Sequence, residues 1–212
     1  MKKISVIMPS FLGDYPNCAT ERPYKFIRAV DSFLAQTYKD KELVVIADGC
    51  PDTKAIVLSK YRKEVANGLI VLVEYERQSR KENFVGYVRQ KGIEKATGQI
   101  ICNLDTDDYF LPNHLNNLAV SFGSADWVFW NPITKPDNIK DVEFYSDMKA
   151  ELGSINNGSI AWRAGLDVSW AKCDGTHDNQ SFIAQLLAFM NHKKIYGCGY
   201  VIAHSHLQIK KV

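Results

Sequence analysis

The chain has 212 residues, 46% of them hydrophobic and 24% charged, with a formal net charge of +2. That length suits one well-buried domain and is short for two, and the near-neutral charge gives no basis for a nucleic-acid surface or a polybasic membrane anchor. The five cysteines (Cys18, Cys50, Cys102, Cys173 and Cys198) are odd in number, scattered and without a C-x-x-C pair. This argues against a disulfide framework or a structural zinc site and points to a reducing compartment. The apolar run after Met1-Lys2-Lys3 is too short for a signal-peptide core, and no later run has the length of a membrane span, so a cytoplasmic protein is expected.

In chain order, Ile4 to Met8 reads as a buried strand stopped by Pro9-Ser10. A polar loop from Gly13 to Pro23 is long enough to be functional. Tyr24 to Thr37 carries Phe26, Ile27, Val30, Phe33 and Leu34 at helical spacing. Glu42 to Ala47 is a second strand, broken at Asp48-Gly49-Cys50-Pro51-Asp52. The pattern then predicts a helix over Asp52 to Val65, a strand over Leu69 to Val73, a helix over Phe84 to Ala96 and a strand over Ile100 to Leu104. Strands without polar alternation, separated by helices, imply a Rossmann-like, mostly parallel sheet covered on both faces.

After Pro112 a helix to about Phe122 and a strand at Trp127 to Trp130 are expected. Residues 131–158 have weak periodicity. Asp178 to Asn191 reads as an amphipathic helix through Phe182, Ile183, Leu186, Leu187 and Met190, and Ile195 to Ile202 is strand-like. No repeat or linker interrupts the chain, so one α/β domain over residues 1–212 is expected.

The densest signal is Leu104-Asp105-Thr106-Asp107-Asp108, where an apolar strand runs into three carboxylates. Carboxylates at that density repel one another, and a hard cation such as Mg²⁺ or Mn²⁺ among them relieves the repulsion. A solvated acidic turn capping the next helix is the plain alternative.

Pro9-Ser10 after the first strand, Ala47-Asp48-Gly49-Cys50-Pro51-Asp52 after the second, Leu104 to Asp108 followed by Pro112, and the helical segment Gly86-Tyr87-Val88-Arg89-Gln90-Lys91-Gly92-Ile93 together resemble the family 2 glycosyltransferases of the GT-A fold. The resemblance covers nearly the whole chain and is strongest over residues 4–112. It implies a nucleotide-sugar-binding half over about 1–112 and an irregular acceptor-binding half over about 113–212. By resemblance, Pro9, Ser10, Asp48, Arg89, Asp105 and Asp107 bind the donor. Asp48 recognises the base, Asp105 contacts the ribose or the metal, and Asp107 ligates Mn²⁺ or Mg²⁺ directly. Asp108 either ligates the metal or caps the following helix, and capping is the favoured role. Arg89 offers a rigid fork of donors to a diphosphate or a uracil carbonyl, while Lys91 reads as a solvated surface residue. The family usually has two successive acids where this chain has Ala47 and Asp48, so base recognition is expected to differ in detail.

On the acceptor side, His177-Asp178-Asn179-Gln180 resembles the segment that carries the general base, which assigns that role to Asp178, with His177 in place of the usual acid. Helix capping is the competing role for Asp178. The family's C-terminal histidine maps to His204 ahead of His206, as a metal or diphosphate ligand. Asn156-Asn157-Gly158-Ser159, with Trp162 and Arg163, resembles the acceptor-side strand, and Trp130 and Trp162 are equally suited to stacking on sugars and to core packing. The implied reaction is an inverting transfer from a nucleotide sugar, UDP ahead of GDP or dTDP, to a carbohydrate or glycolipid hydroxyl. Surface polysaccharide or glycoconjugate synthesis and peripheral membrane contact follow by the same analogy. A catalytically silent binding module of the same fold and a sugar nucleotidyltransferase are the alternatives. The second lacks its Gly-rich phosphate loop after the first strand, and no G-x-G-x-x-G run supports a dinucleotide dehydrogenase.

Overall fold

The computed structural model describes residues 2–15, 18–76, 84–137, 144–145, 147–173 and 178–203. Its centre is a seven-stranded sheet of β1 (Ile4–Ser10), β2 (Lys41–Asp48), β3 (Ile70–Tyr75), β4 (Ile100–Asn103), β6 (Trp127–Phe129), β9 (Ile160–Arg163) and β10 (His192–Lys194), in the order β10-β6-β9-β4-β1-β2-β3. Only β9 runs antiparallel to its neighbours β4 and β6. A second sheet has the order β5-β11-β7-β8, built from β5 (Tyr109–Phe110), β7 (Ile133–Thr134), β8 (Phe144–Tyr145) and β11 (Tyr200–Ile202).

Alternation along β1 explains the two layers. Ile4, Val6 and Met8 join one core with Phe26, Ala29, Val30 and Phe33 of α1 (Arg22–Leu34) and Leu115, Leu118 and Phe122 of α5 (His114–Phe122). Ile7 faces the other way, into a core with Val88 of α4 (Phe84–Ile93) and Phe182, Ile183 and Leu186 of α6 (Asp178–Leu187). Both faces of the strand are therefore apolar, as a covered parallel sheet requires. Gly92 sets the distance of α4 from the sheet, because a Cβ there would stand 2.5 Å from Ile46 Cδ1 and 2.8 Å from Ile7 Cγ2. A side chain at that position would lift the helix.

Some boundaries differ from the sequence pattern. The helix expected over Asp52 to Val65 divides into α2 (Pro51–Lys60) and α3 (Arg62–Ala66). At the break, Tyr61 has φ −116° and ψ 28°, and its buried hydroxyl donates to Asp31 Oδ1 of α1 at 2.7 Å. Docking that ring on α1 overrides helical continuity. Of the strand-like tail Ile195 to Ile202 only β11, Tyr200–Ile202, is strand, and the residues before it turn through Gly197 with φ 76° after β10. No described helix is long and apolar enough to cross a membrane.

The first core holds one polar anomaly. His114, at the start of α5, is 1% exposed, stacks on Phe110 at 4.1 Å and meets Trp130 edge-on at 5.1 Å. Neither ring nitrogen has a partner among the described residues. Burial lowers its pKa to about 3, so the ring stays neutral in the fold while the unfolded chain protonates below about 6.5. The unfolded state then binds more protons, and stability falls as pH drops from about 6.5 towards 3. Buried Asp108, whose pKa is raised, acts in the opposite direction, so the test compares two proteins. Between pH 7 and pH 5 the wild type is expected to lose about 2 kcal/mol more than His114→Leu in urea unfolding. Parallel pH slopes in the two proteins would refute this account.

Candidate active site

Strands β1, β2 and β4 are parallel neighbours, so Ser10, Asp48 and the acidic turn after Asn103 gather at one sheet edge. This is where open α/β sheets hold ligands. Asp48 closes β2 and is buried. Pro9 is half-buried within β1. The Ser10 hydroxyl is turned inward, 1% exposed and 2.8 Å from Thr53 Oγ1 of α2. The Leu12 amide donates to Cys50 Sγ at 3.2 Å. These two bonds tie the loop after β1 to the loop after β2.

Arg89 of α4 organises the site. Its Nη2 pairs with Asp105 Oδ1 at 3.2 Å, although the guanidinium side chain is only 6% exposed against 35% for Asp105. The guanidinium lies 4.9 Å over the Trp170 ring. The Asn157 amide orientation that satisfies both its ends turns the oxygen to Arg89 Nη2 at 2.9 Å and Nε at 3.2 Å, and the nitrogen towards the Asn103 amide at 2.7 Å. A buried cation needs this fixed set of partners to hold its place.

The neighbours of Arg89 in sequence hold the platform beneath it. Gln90 Oε1 accepts from Ser169 Oγ at 3.0 Å and from the Trp170 amide at 3.1 Å. Trp170 in turn stacks on Phe182 of α6, with 4.1 Å between centroids and 2° between planes. The arginine, amide and glycine at 89, 90 and 92 thus have separate tasks: ion pair, platform and close approach to the sheet.

Asp108 does not cap α5, the favoured expectation. Asn113 occupies the N-cap of α5, and Asp108 is 4% exposed with both carboxylate oxygens engaged. Oδ2 accepts from the Tyr200 hydroxyl at 2.7 Å and Oδ1 from the Ala203 amide at 2.9 Å. The carboxylate therefore clasps β11 to the acidic turn. Burial, then the nearby Asp107 and Asp105 carboxylates, push its carboxyl well above the usual range. Gly158 completes the clasp, since a Cβ there would collide with the Tyr200 ring.

Asp105 and Asp107 offer hard oxygens to a divalent cation, and the crowding of three carboxylates provides the negative field such an ion suits. Among the described residues no three His, Cys, Asp or Glu side chains converge as a metal cage. A metal here would take the rest of its shell from phosphate oxygens and water, as Mg²⁺ commonly does.

Of the other expected residues, Asp178 opens α6, but its side chain lies outside the described residues, as do His177, His204 and His206. Lys91 is exposed and pairs with Glu94 at 2.9 Å, a surface role. Trp130 and Trp162, 1% and 2% exposed, are core residues. At the far end of the β5–β11 ladder a cleft of about 280 Å³ is lined by Leu111, Trp130, Asn131, Ile133, Tyr196 and Gly199, among others. Asn103 and Trp170 went unnoticed in the sequence. An amide closing the apolar run Ile100 to Cys102 was the available sign of the first, and no local sign marked the second.

The sequence pattern described as Glycosyl transferase family 2 matches residues 15–144, well over half of the chain. The chain belongs to glycosyl transferase family 2. The glucosyl-dolichyl phosphate glucuronosyltransferase of Haloferax volcanii is 27% identical over 155 residues, which cover 68% of this family 2 chain and 44% of that protein. The chain spans less than half the length of the curated relatives it matches. Among solved structures, S. aureus TarS 1-349 in complex with UDP-GlcNAc superposes with a TM-score of 0.73 at 17% identity, over 96% of this chain and 59% of that one. The mannosyltransferase PcManGT of Pyrobaculum calidifontis, in complex with GDP-Man and Mn²⁺, gives 0.63 at 16% identity, over 98% and 58%. The family 2 fold is thus a mixed α/β fold with a mostly parallel central sheet.

Proposed function

We propose that this family 2 chain is an inverting, metal-dependent glycosyltransferase domain that moves a sugar from a nucleotide sugar, with UDP favoured, to an acceptor hydroxyl. The observation that carries the reading is the buried Arg89 guanidinium paired with Asp105 at the sheet edge, beside Asp107 and within the same edge as Asp48. A diphosphate leaving group needs cationic partners at the place where its charge develops. Asp48 recognises the base, Asp105 and Asp107 hold Mn²⁺ or Mg²⁺, and Pro9 and Ser10 shape the floor of the donor site. A divalent ion held there supplies charge neutralisation for the departing diphosphate. His204 belongs to the same proposal as a further ligand.

Asp178 is the base, removing the acceptor proton as the hydroxyl attacks from the face opposite the diphosphate. Position 178 lies one turn before Phe182 on the same face of α6, and Phe182 stacks on the Trp170 ring that supports Arg89. That chain of contacts, from α6 through Trp170 to Arg89 and Asp105, supports the reading. The name of the Haloferax relative includes a sugar on a dolichyl phosphate, and an acceptor linked to a phosphate, within a half formed by about 113–212, is part of this reading. Peripheral membrane contact and cytoplasmic action accompany it.

Titration of the chain with UDP, GDP and dTDP, each with and without Mn²⁺, tests the donor reading. UDP is expected to bind most tightly and by roughly tenfold more when the metal is present. Failure of all three nucleotides to bind under both conditions would overturn the assignment.

A further inference from the structure

Helix α1 presents three cations, Arg22, Lys25 and Arg28, along one i, i+3, i+6 ridge. Arg28 reaches the acidic turn from the side opposite Arg89. Its Nη2 donates to the Asp107 carbonyl oxygen at 2.6 Å, and its guanidinium lies 4.8 Å over the Tyr109 ring. The two arginines thus bracket the proposed metal carboxylates.

Among the described residues the ridge has more positive charge than its ion pairs offset. Asp137 alone among the described residues faces Lys25 and Arg28 with a carboxylate, Oδ1 at 2.6 Å from Arg28 Nη1 and Oδ2 at 3.5 Å from Lys25 Nζ. Lys25 is 3% exposed, yet that long contact is its one ion pair among the described residues. Arg22 donates through Nη2 to the Phe11 carbonyl and lies 4.5 Å over the Tyr15 ring. Arg22 Nε and Nη1 and Arg28 Nε are buried with no hydrogen-bond partner. Idle donors on cations at this depth are costly unless an anion completes them.

The geometry points to a phosphate seat at the Lys25–Arg28 fork, flanked by Arg22, in which the Asp137 carboxylate stands where a phosphate of the substrate binds. The donor's diphosphate has four non-bridging oxygens and two charges where Asp137 has two oxygens and one charge, which fits three cations better than one carboxylate does, and the phosphodiester of a sugar-bearing lipid phosphate equals the carboxylate in oxygens and charge. The seat touches Asp107 through its backbone, so a group bound there sits beside the reacting centre. Two substrate groups offer anionic phosphate oxygens to such a seat, the phosphate of a phosphate-linked acceptor and the diphosphate of the donor. The inference rests on the proposed transferase reading only for which of them fills the seat.

Calorimetric titration of inorganic phosphate into wild type, Arg28→Gln and Asp137→Asn, at fixed ionic strength and with melting curves for each protein, tests the seat. Arg28→Gln is expected to weaken phosphate binding by roughly tenfold. Asp137→Asn keeps the shape of the side chain, removes the competing charge, and is expected to strengthen binding several-fold. An ion pair of purely structural purpose predicts the reverse: unchanged or weaker binding in Asp137→Asn alongside a lowered melting temperature. That result, or no phosphate binding by either wild type or Asp137→Asn, would overturn the proposal. Repeating the titration with saturating UDP and Mg²⁺ separates the sources. Retained phosphate binding assigns the seat to the acceptor, and exclusion by UDP assigns it to the donor diphosphate. Loss of UDP binding with the opposite phosphate effects intact would count against the donor site and leave the seat standing.

Discussion

Asp178→Asn is expected to leave UDP binding intact while sugar transfer falls by roughly 100-fold or more, the usual contribution of a general base. The substitution keeps the size and shape of the side chain, and Asn suits a helix start about as well as Asp. It removes only the basicity that the acceptor hydroxyl needs. Two contacts that hold α6 lie at other residues: Phe182 stacks on Trp170, and Gln180 Oε1 accepts from the Gly153 amide at 2.6 Å. A drop in turnover without a drop in donor affinity therefore isolates the chemical step. Near-normal transfer by this variant would move the base elsewhere, with His177 the next residue to test. A normal UDP affinity with no transfer by the wild type, over a range of acceptors, would instead favour a silent binding module.

Asp107→Ala is expected to abolish the effect of Mn²⁺ on UDP affinity. Removing an outer partner of a metal ligand commonly costs roughly tenfold to a hundredfold in metal affinity, and removing a ligand itself costs at least that much. The turn should survive the change. Arg28 holds residue 107 by its backbone oxygen, and Asp108 is fastened to β11 by two hydrogen bonds, neither of which uses the lost carboxylate. Calorimetry of UDP binding with and without Mn²⁺ provides the measurement. If the metal still tightens UDP binding in the variant as it does in the wild type, Asp107 is not a ligand.

The parts of the molecule legible in the sequence are those decided locally. The parallel strands announce themselves because both of their faces are buried, so Leu43 to Ala47 is apolar throughout. Arg89 stands out because its neighbours Gln90 and Gly92 have structural tasks of their own. What escaped was set by residues distant in sequence. Asp108 looks like a helix cap from its neighbours, and only the arrival of Tyr200 and Ala203 makes it a clasp. The helix after β2 breaks at Tyr61 because a hydroxyl on that ring finds Asp31. Trp130 and Trp162 suit a sugar platform by residue type alone, but the sheet order places β9 between β4 and β6 and draws both rings inside. Asn157, read as part of the acceptor-side strand, also reaches Arg89, which its neighbours in sequence do not announce.

The Asp108 clasp also governs how the chain tolerates being shortened. A fragment ending before Tyr200 would keep every strand of the large sheet and both helical layers, and by those measures would pass as an intact domain. It would also strand a carboxylate at 4% exposure without either of its two donors, three positions from Asp105 and next to Asp107. The orphaned group would have to reach solvent or take a proton, and both outcomes distort the acidic turn. A minimal fragment that keeps the acidic turn intact therefore extends at least through Ala203, and β11 supports that turn as directly as the strand that leads into it.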